Sequence, residues 1–132
     1  MIALDSNVLI RLLVDDDPIQ ANHARRLLET TRDRGEQCFI SDPVLCEVEW
    51  VLDSAYGASR QDVATAIQYI LTSALFLVEV PDSLQRALDH FCDGKGDFSD
   101  HLIGERAQKR GARTTYTFDR ELRNEEGFTL LR

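Results

Sequence analysis

The sequence predicts an α/β protein with a parallel sheet covered by helices on both faces. Short apolar runs alternate with amphipathic segments of about 10 to 18 residues, the pattern of strand–helix–strand units. Capping or turn residues stand at nearly every junction. No repeat, low-complexity tract or linker interrupts the alternation, so residues 1–132 are expected to form one domain.

The elements follow in order. "MIALD" is a short apolar strand, and "SNVLIRLLV" is a helix that Asp5 or Ser6 can cap. "DDDP" breaks it, and Pro18 suits the first turn of the next helix, which runs to Gly35. "QCFIS" is the second strand. Asp42 and Pro43 open the helix "PVLCEVEWVLDSAYG", and Ser59 with Asp62 forms a capping box ahead of "DVATAIQYILTS". "ALFLVEV" is the third strand and "PDSLQRALDHFCDG" another amphipathic helix. "GKGDFSDHLIGERAQKRG" is a glycine-rich turn running into a helix, followed by the strands "TTYTFD" and "FTLLR".

A chain of 132 residues, 43% hydrophobic and 29% charged, has an ordinary globular composition. Its beginning carries Asp5 inside the apolar run and no basic leader, which is neither a secretory signal nor a membrane span. Cys38, Cys46 and Cys92 are odd in number and lack C-x-x-C spacing, so they are expected to be small buried hydrophobes in a reducing cytoplasm. The net charge of −8 argues against a general nucleic-acid binder.

The acids give the chemistry. Asp5 ends the first strand and Glu47 lies early in the helix after the second. Asp97 and Asp100 begin the helix before the fourth strand, and Asp119 ends that strand. In a parallel sheet the carboxyl ends of strands and the helix starts after them line one edge, where ligands bind. Carboxylates gathered there repel one another unless a divalent cation intervenes. An all-oxygen set suits Mg²⁺ or Mn²⁺ rather than zinc. The reaction class this supports is metal-assisted hydrolysis of phosphate esters. Singly, each acid also suits a helix cap or dipole partner. Asp42, Asp62 and Asp82 are read that way, and Glu49 and Asp53 as a solvated face. Helical spacing leaves Glu47 and Glu49 equally eligible.

"MIALDSNVLI", "VLCEVEWVL", "GDFSDHLIG" and "TFDREL" resemble, in order, the four acidic motifs of PIN-domain proteins. The run from Met1 to Leu131 looks most like toxins of the VapC type. The resemblance implies a three-layer α/β/α sandwich with a central parallel sheet. It also implies a Mg²⁺-dependent endoribonuclease, with Mn²⁺ able to substitute, that acts as a toxin restrained by a cognate antitoxin. Carried over motif by motif, the family's acids fall on Asp5, Glu47, Asp100 and Asp119, with Asp97 as a supporting acid. This selects Glu47 over Glu49. It implies Asp5 and Asp100 as direct ligands, and Glu47 and Asp119 as ligands through water, holders of a second ion or orienters of the nucleophilic water. Ser6 and Asn7 are expected to set the turn beside Asp5, where the family more often has Thr at the position of Ser6. Thr117 is expected to orient Asp119. Family members generally dimerise, so a homodimer is expected, with RNA as substrate and no membrane contact.

Other features are set aside. Gly94–Gly96 lacks the phosphate-loop frame and is expected to be a mobile turn. His101 follows Asp100 but points about 100° away on a helix, so a general-base role is not expected. His23 and His90 read as helix-surface residues, and Trp50, Tyr56 and Tyr69 as core or subunit-interface packing. Arg11, Arg106, Lys109, Arg110, Arg113 and Arg120, with Arg123 nearby, form a local basic rim expected to contact RNA phosphates despite the global charge. A receiver-type phosphoacceptor needs a lysine near the end of the last strand, and a dehalogenase-type phosphatase needs D-x-D after the first; neither is present. The remaining rival is a non-catalytic PIN-like domain that binds RNA or serves as a scaffold. Loss of the acids would mark it, and all four are kept.

Overall fold

A computed structural model describes every residue from Met1 to Arg132 as an α/β protein with six α-helices and parallel strands. The chain divides into two compact units, Met1–Glu79 and Val80–Arg132. No helix is long and apolar enough to cross a membrane.

The first unit is built on a parallel three-stranded sheet of β1 (Ile2–Ala3), β2 (Cys38–Ile40) and β3 (Phe76–Val78), in that order. Ile2 pairs with Cys38 and Cys38 with Phe76, so one row of the pleat is apolar across all three strands. Cys38, Ile40, Phe76 and Val78 are buried. The connecting helices are α1 (Ser6–Leu13), α2 (Pro18–Asp33), α3 (Asp42–Tyr56) and α4 (Arg60–Thr72). Three of the four start at a side-chain cap, whereas Ser41 at the start of α3 makes no side-chain capping bond. Asp5 caps α1 by accepting the N–H of Ser6, Asp17 caps α2, and Ser59 with Asp62 forms the expected box at α4. Leu9, Ile10, Leu45, Val48, Leu52, Ile67 and Ile70 supply the apolar faces these helices bury.

The second unit contains α5 (Pro81–Asp93), α6 (Phe98–Lys109) and a parallel pair, β4 (Thr115–Thr117) and β5 (Phe128–Leu130), with one 3₁₀ turn at Arg120–Leu122. That turn was not foreseen. Leu84, Leu88, Phe91, Phe98, Leu102 and Leu122 are buried, and the Phe91 and Phe98 rings meet edge to face with centroids 6.4 Å apart. Gly104 sits inside α6 for a steric reason: a Cβ there would lie 2.9 Å from the Phe128 ring. Helix α5 is preceded at its N-cap by Val80, whose φ of +38° is unusual for a β-branched residue. Its carbonyl accepts from Arg106 at 3.1 Å and from the buried Ser83 hydroxyl at 3.3 Å, which holds that backbone in place.

Several surface expectations change. Of the three cysteines, all free, only Cys38 is buried, and burial pushes its thiol pKa up; Cys46 is half-buried and Cys92 exposed. Trp50 is 68% exposed, and Tyr56 and Tyr69 are also exposed, so none is core. The α3 face carrying Trp50 lies opposite Val48 and Leu52, the residues that fill the core. His90 is half-buried because its Nε2 contacts the buried Glu105 carboxylate at 3.2 Å. His23 is exposed, as expected.

Candidate metal and catalytic site

In the first unit, the turn from β1 into α1 presents Asp5, Ser6 and Asn7. Asp5 is extended, and its Oδ1 accepts the N–H of Ser6 at 2.7 Å, the cap that starts α1. The Ser6 hydroxyl is nearly buried. It donates to Glu47 Oε2 at 2.6 Å and stands 3.4 Å from Asp5 Oδ1. One hydroxyl therefore ties together the acids of the first two motifs. Neither carboxylate takes part in an ion pair; those of the molecule involve Glu36, Asp16 and Glu105. Asn7 is exposed in the first turn of α1.

The two candidate glutamates of α3 separate cleanly. Glu47 is exposed toward Ser6, whereas Glu49 is only 8% exposed. The expected solvated face of Glu49 and Asp53 is thus corrected: Asp53 is exposed and Glu49 is buried.

In the second unit, Asp97 is the N-cap of α6, and the Asp100 carboxylate turns back to accept the Asp97 N–H at 2.9 Å. The bland reading of these acids as caps is physically realised. It does not exhaust them, because a carboxylate offers about four acceptor sites. Gly96 precedes them at φ +86°, a conformation side chains rarely adopt. A Cβ there would strike Leu122 and approach Asp100 Oδ2 to 3.3 Å. The Gly94–Gly96 turn, expected to be mobile, has backbone partners at Lys95. The Lys95 N–H donates to Glu125 Oε1, and the Lys95 carbonyl lies 2.6 Å from His101 Nε2. His101 is 2% exposed and stacks on His90 with ring centroids 5.8 Å apart, so its role is to anchor this turn. Asp119 was expected to end the fourth strand; β4 stops at Thr117, and Asp119 lies two residues beyond it as the N-cap of the 3₁₀ turn. Its N–H donates to the Thr117 hydroxyl at 3.0 Å, and its Oδ1 accepts from Glu121 at 2.9 Å, starting the 3₁₀ turn. Thr117 therefore does hold the backbone of Asp119.

The candidate acids are divided between the units: Asp5 and Glu47 in the first, Asp97, Asp100 and Asp119 in the second. Within neither unit do three or more His, Cys, Asp or Glu side chains form a group ready to hold an ion. The donor set is nonetheless all oxygen, and the Asp5–Ser6–Glu47 cluster concentrates negative charge without a protein cation. That chemistry fits a hard divalent ion.

The basic rim resolves into two kinds of residue. Arg11 is committed within its unit: Nε donates to Gln20 at 2.6 Å, and Nη1 to Asp16 at 2.8 Å and to Tyr56 at 3.3 Å. The Tyr56 hydroxyl and the Asp16 charge hold its pKa above the ordinary arginine value. Arg106 is spent on Val80 and Ser83. Both were expected to contact RNA, and both already have partners within their own units. Lys109, Arg110, Arg113, Arg120 and Arg123 stay exposed and outside every ion pair. Sequence reasoning overlooked Phe118, an apolar residue 77% exposed between Thr117 and Asp119. Its place beside an acidic motif and among arginines was the available signal.

A family model described as a PIN domain matches residues 2–126. The VapC ribonuclease of Aquifex aeolicus (strain VF5) is similar at 26% identity over 120 residues, covering 91% of this chain and 88% of that protein.

Proposed function

Because the chain belongs to the PIN-domain family, its match running from residue 2 to 126, we propose that it is a Mg²⁺-dependent endoribonuclease of the VapC toxin type. Residues 1–132 are read as one PIN domain, and the span of the family match supports this. The similar ribonuclease supports the reaction class. The observation that carries the reading is the Ser6 hydroxyl, 2.6 Å from Glu47 and 3.4 Å from Asp5, which draws two motif acids together with no cationic side chain to neutralise them.

Asp5 and Asp100 are the proposed direct ligands, Glu47 and Asp119 the water-mediated ligands or orienters of the attacking water, and Asp97 a support. Mn²⁺ is an acceptable substitute. Bound Mg²⁺ supplies the electrophile that activates water and neutralises charge on the phosphate. The chain's residues do the rest. Ser6 fixes the Glu47 carboxylate, so the rotamer that faces the substrate is set before it arrives. Thr117 fixes the Asp119 backbone in the same way. Lys109, Arg110, Arg113 and Arg120 hold RNA phosphates, which explains how a protein of net charge −8 takes a polyanion. A cognate antitoxin, a homodimeric state and a cytoplasmic location complete the proposal.

The test is Asp5→Asn and Asp100→Asn. Each should abolish Mg²⁺-dependent cleavage of single-stranded RNA while leaving thermal unfolding cooperative. Normal cleavage by purified Asp5→Asn would overturn the metal site. Tight RNA binding by the wild type without any cleavage would favour the scaffold reading.

A further inference from the structure

Strands β4 and β5 are in register with Tyr116 beside Thr129, and the pairing continues where the Leu131 N–H donates to the Thr117 carbonyl at 2.7 Å. Side chains alternate along such a ladder, so Tyr116 and Phe118 emerge on one face. That face is the wet one: Tyr116, Phe118, Thr129 and Leu131 are exposed, whereas Thr115, Thr117, Phe128 and Leu130 are half-buried. Phe118 is 77% exposed and Tyr116 58%, and neither ring packs against another aromatic side chain. A groove of about 560 Å³ runs beside Phe118, lined by Arg120, Arg123 and Arg132 with Leu130 and Leu131. No carboxylate side chain lines it, and none of its arginines is in an ion pair. A second groove of about 320 Å³ shares Arg120 and Arg123 and continues to Lys95, but it is of mixed charge, with Glu121 and Glu125 in its lining, so the first groove alone is purely basic.

We infer that this face is a single-stranded RNA platform, on which a nucleobase stacks against Phe118 while Arg120 and Arg123 hold the flanking phosphates. Three unpaired guanidiniums in a protein of net charge −8 select an anionic occupant. Exposed aromatic faces beside them select one that carries flat π-systems. Duplex RNA hides its bases, so the occupant is a single strand. The inference rests on the RNA reading of the protein and deepens it: Phe118 adjoins Asp119, so the platform would set which nucleotide lies next to that acid.

The experiment measures binding of a short fluorescent oligouridylate to the full chain without divalent metal. Phe118→Ala should weaken binding by about 5- to 100-fold, the usual range for one lost stack. Phe118→Leu should be equally weak, because it keeps apolar bulk without a π face, and Phe118→Trp should restore affinity. An abasic strand of the same length should bind wild type and Phe118→Ala alike. Replacing Arg120 and Arg123 by Gln should weaken both strands and flatten the salt dependence. Wild-type affinity in Phe118→Leu, or an equal loss for the abasic strand, would overturn the platform. So would a shift of Phe118→Ala from dimer to monomer with RNA binding unchanged, which would make the face a contact between copies. Metal-free binding keeps the two readings separable. RNA bound on Phe118 but never cut with Mg²⁺ defeats the nuclease alone, whereas Mg²⁺-dependent cleavage indifferent to Phe118 in binding defeats the platform alone.

Discussion

The Ser6 hydroxyl donates to the Glu47 carboxylate at 2.6 Å and joins residues 41 positions apart in sequence. It fastens the first turn of α1 to the first turns of α3, and it lies within 3.4 Å of Asp5. A single buried hydroxyl thereby fixes the separation of two acids that would otherwise repel.

Ser6→Ala should therefore cost more than a surface change. A hydrogen bond to a charged acceptor contributes about 1.5–3 kcal/mol, but exposed Glu47 regains water in the variant, so a loss of about 1 kcal/mol is expected in urea unfolding. Mg²⁺ affinity, read by calorimetry, should fall as well. Ser6→Thr keeps the hydroxyl and should recover both. Unchanged Mg²⁺ affinity in Ser6→Ala would reduce Ser6 to a packing residue.

Glu47 and Glu49 should behave oppositely. Glu47→Gln should stay within about 0.5 kcal/mol of wild-type stability, as surface substitutions usually do. Its cleavage rate should drop by about 10²-fold or more, the scale of losing a group that positions the attacking water. Glu49→Gln disturbs a buried carboxylate and should lower stability by about 1–3 kcal/mol, with cleavage per folded molecule nearly unchanged. Denaturation midpoints and single-turnover rates on the same preparations separate the two.

His101→Ala removes a buried ring that meets the Lys95 carbonyl, His90 and Phe128. Stability should fall by about 2–3 kcal/mol through the void and the unpaired carbonyl. Cleavage by the folded fraction should remain within about tenfold, well short of the loss expected of a general base. A larger drop at full Mg²⁺ occupancy would restore the catalytic role.

Asp16 gives the acid limb of the stability profile a visible component. The Tyr56 hydroxyl and then the Arg11 charge hold its pKa below the ordinary carboxylate value. A carboxylate lowered in the folded state stabilises above its unfolded pKa, and that contribution is lost as pH falls through the folded one. Asp16→Asn should thus lower the thermal midpoint at pH 7. The difference from wild type should shrink below about pH 4. The effect should weaken in high salt, because the group is exposed. A constant difference across that window would rule out the charge as its source.

Much of this molecule is legible in one dimension because its signals are local. Asp5 caps α1 through an N–H one residue away, Ser59 and Asp62 close their box across three, and β1, β2 and β3 are short apolar runs. The order of the four acids, with the spacing of their motifs, likewise requires only the sequence. Helix α3 marks the limit. Glu47 and Glu49 both have apolar neighbours three and four residues away, so periodicity fits either as the outward residue. Packing buries Val48, Glu49 and Leu52 and leaves Glu47 and Trp50 in solvent. His101 shows the same limit, since its burial depends on Lys95, His90 and Phe128 from three separate segments. The division of the arginines was decided in three dimensions as well. Arg11 and Arg106 find carbonyl, hydroxyl and carboxylate partners within their own units, and Arg120 and Arg123 do not. Charge, cap and period are properties of neighbouring residues, whereas partnership is fixed only when distant segments meet.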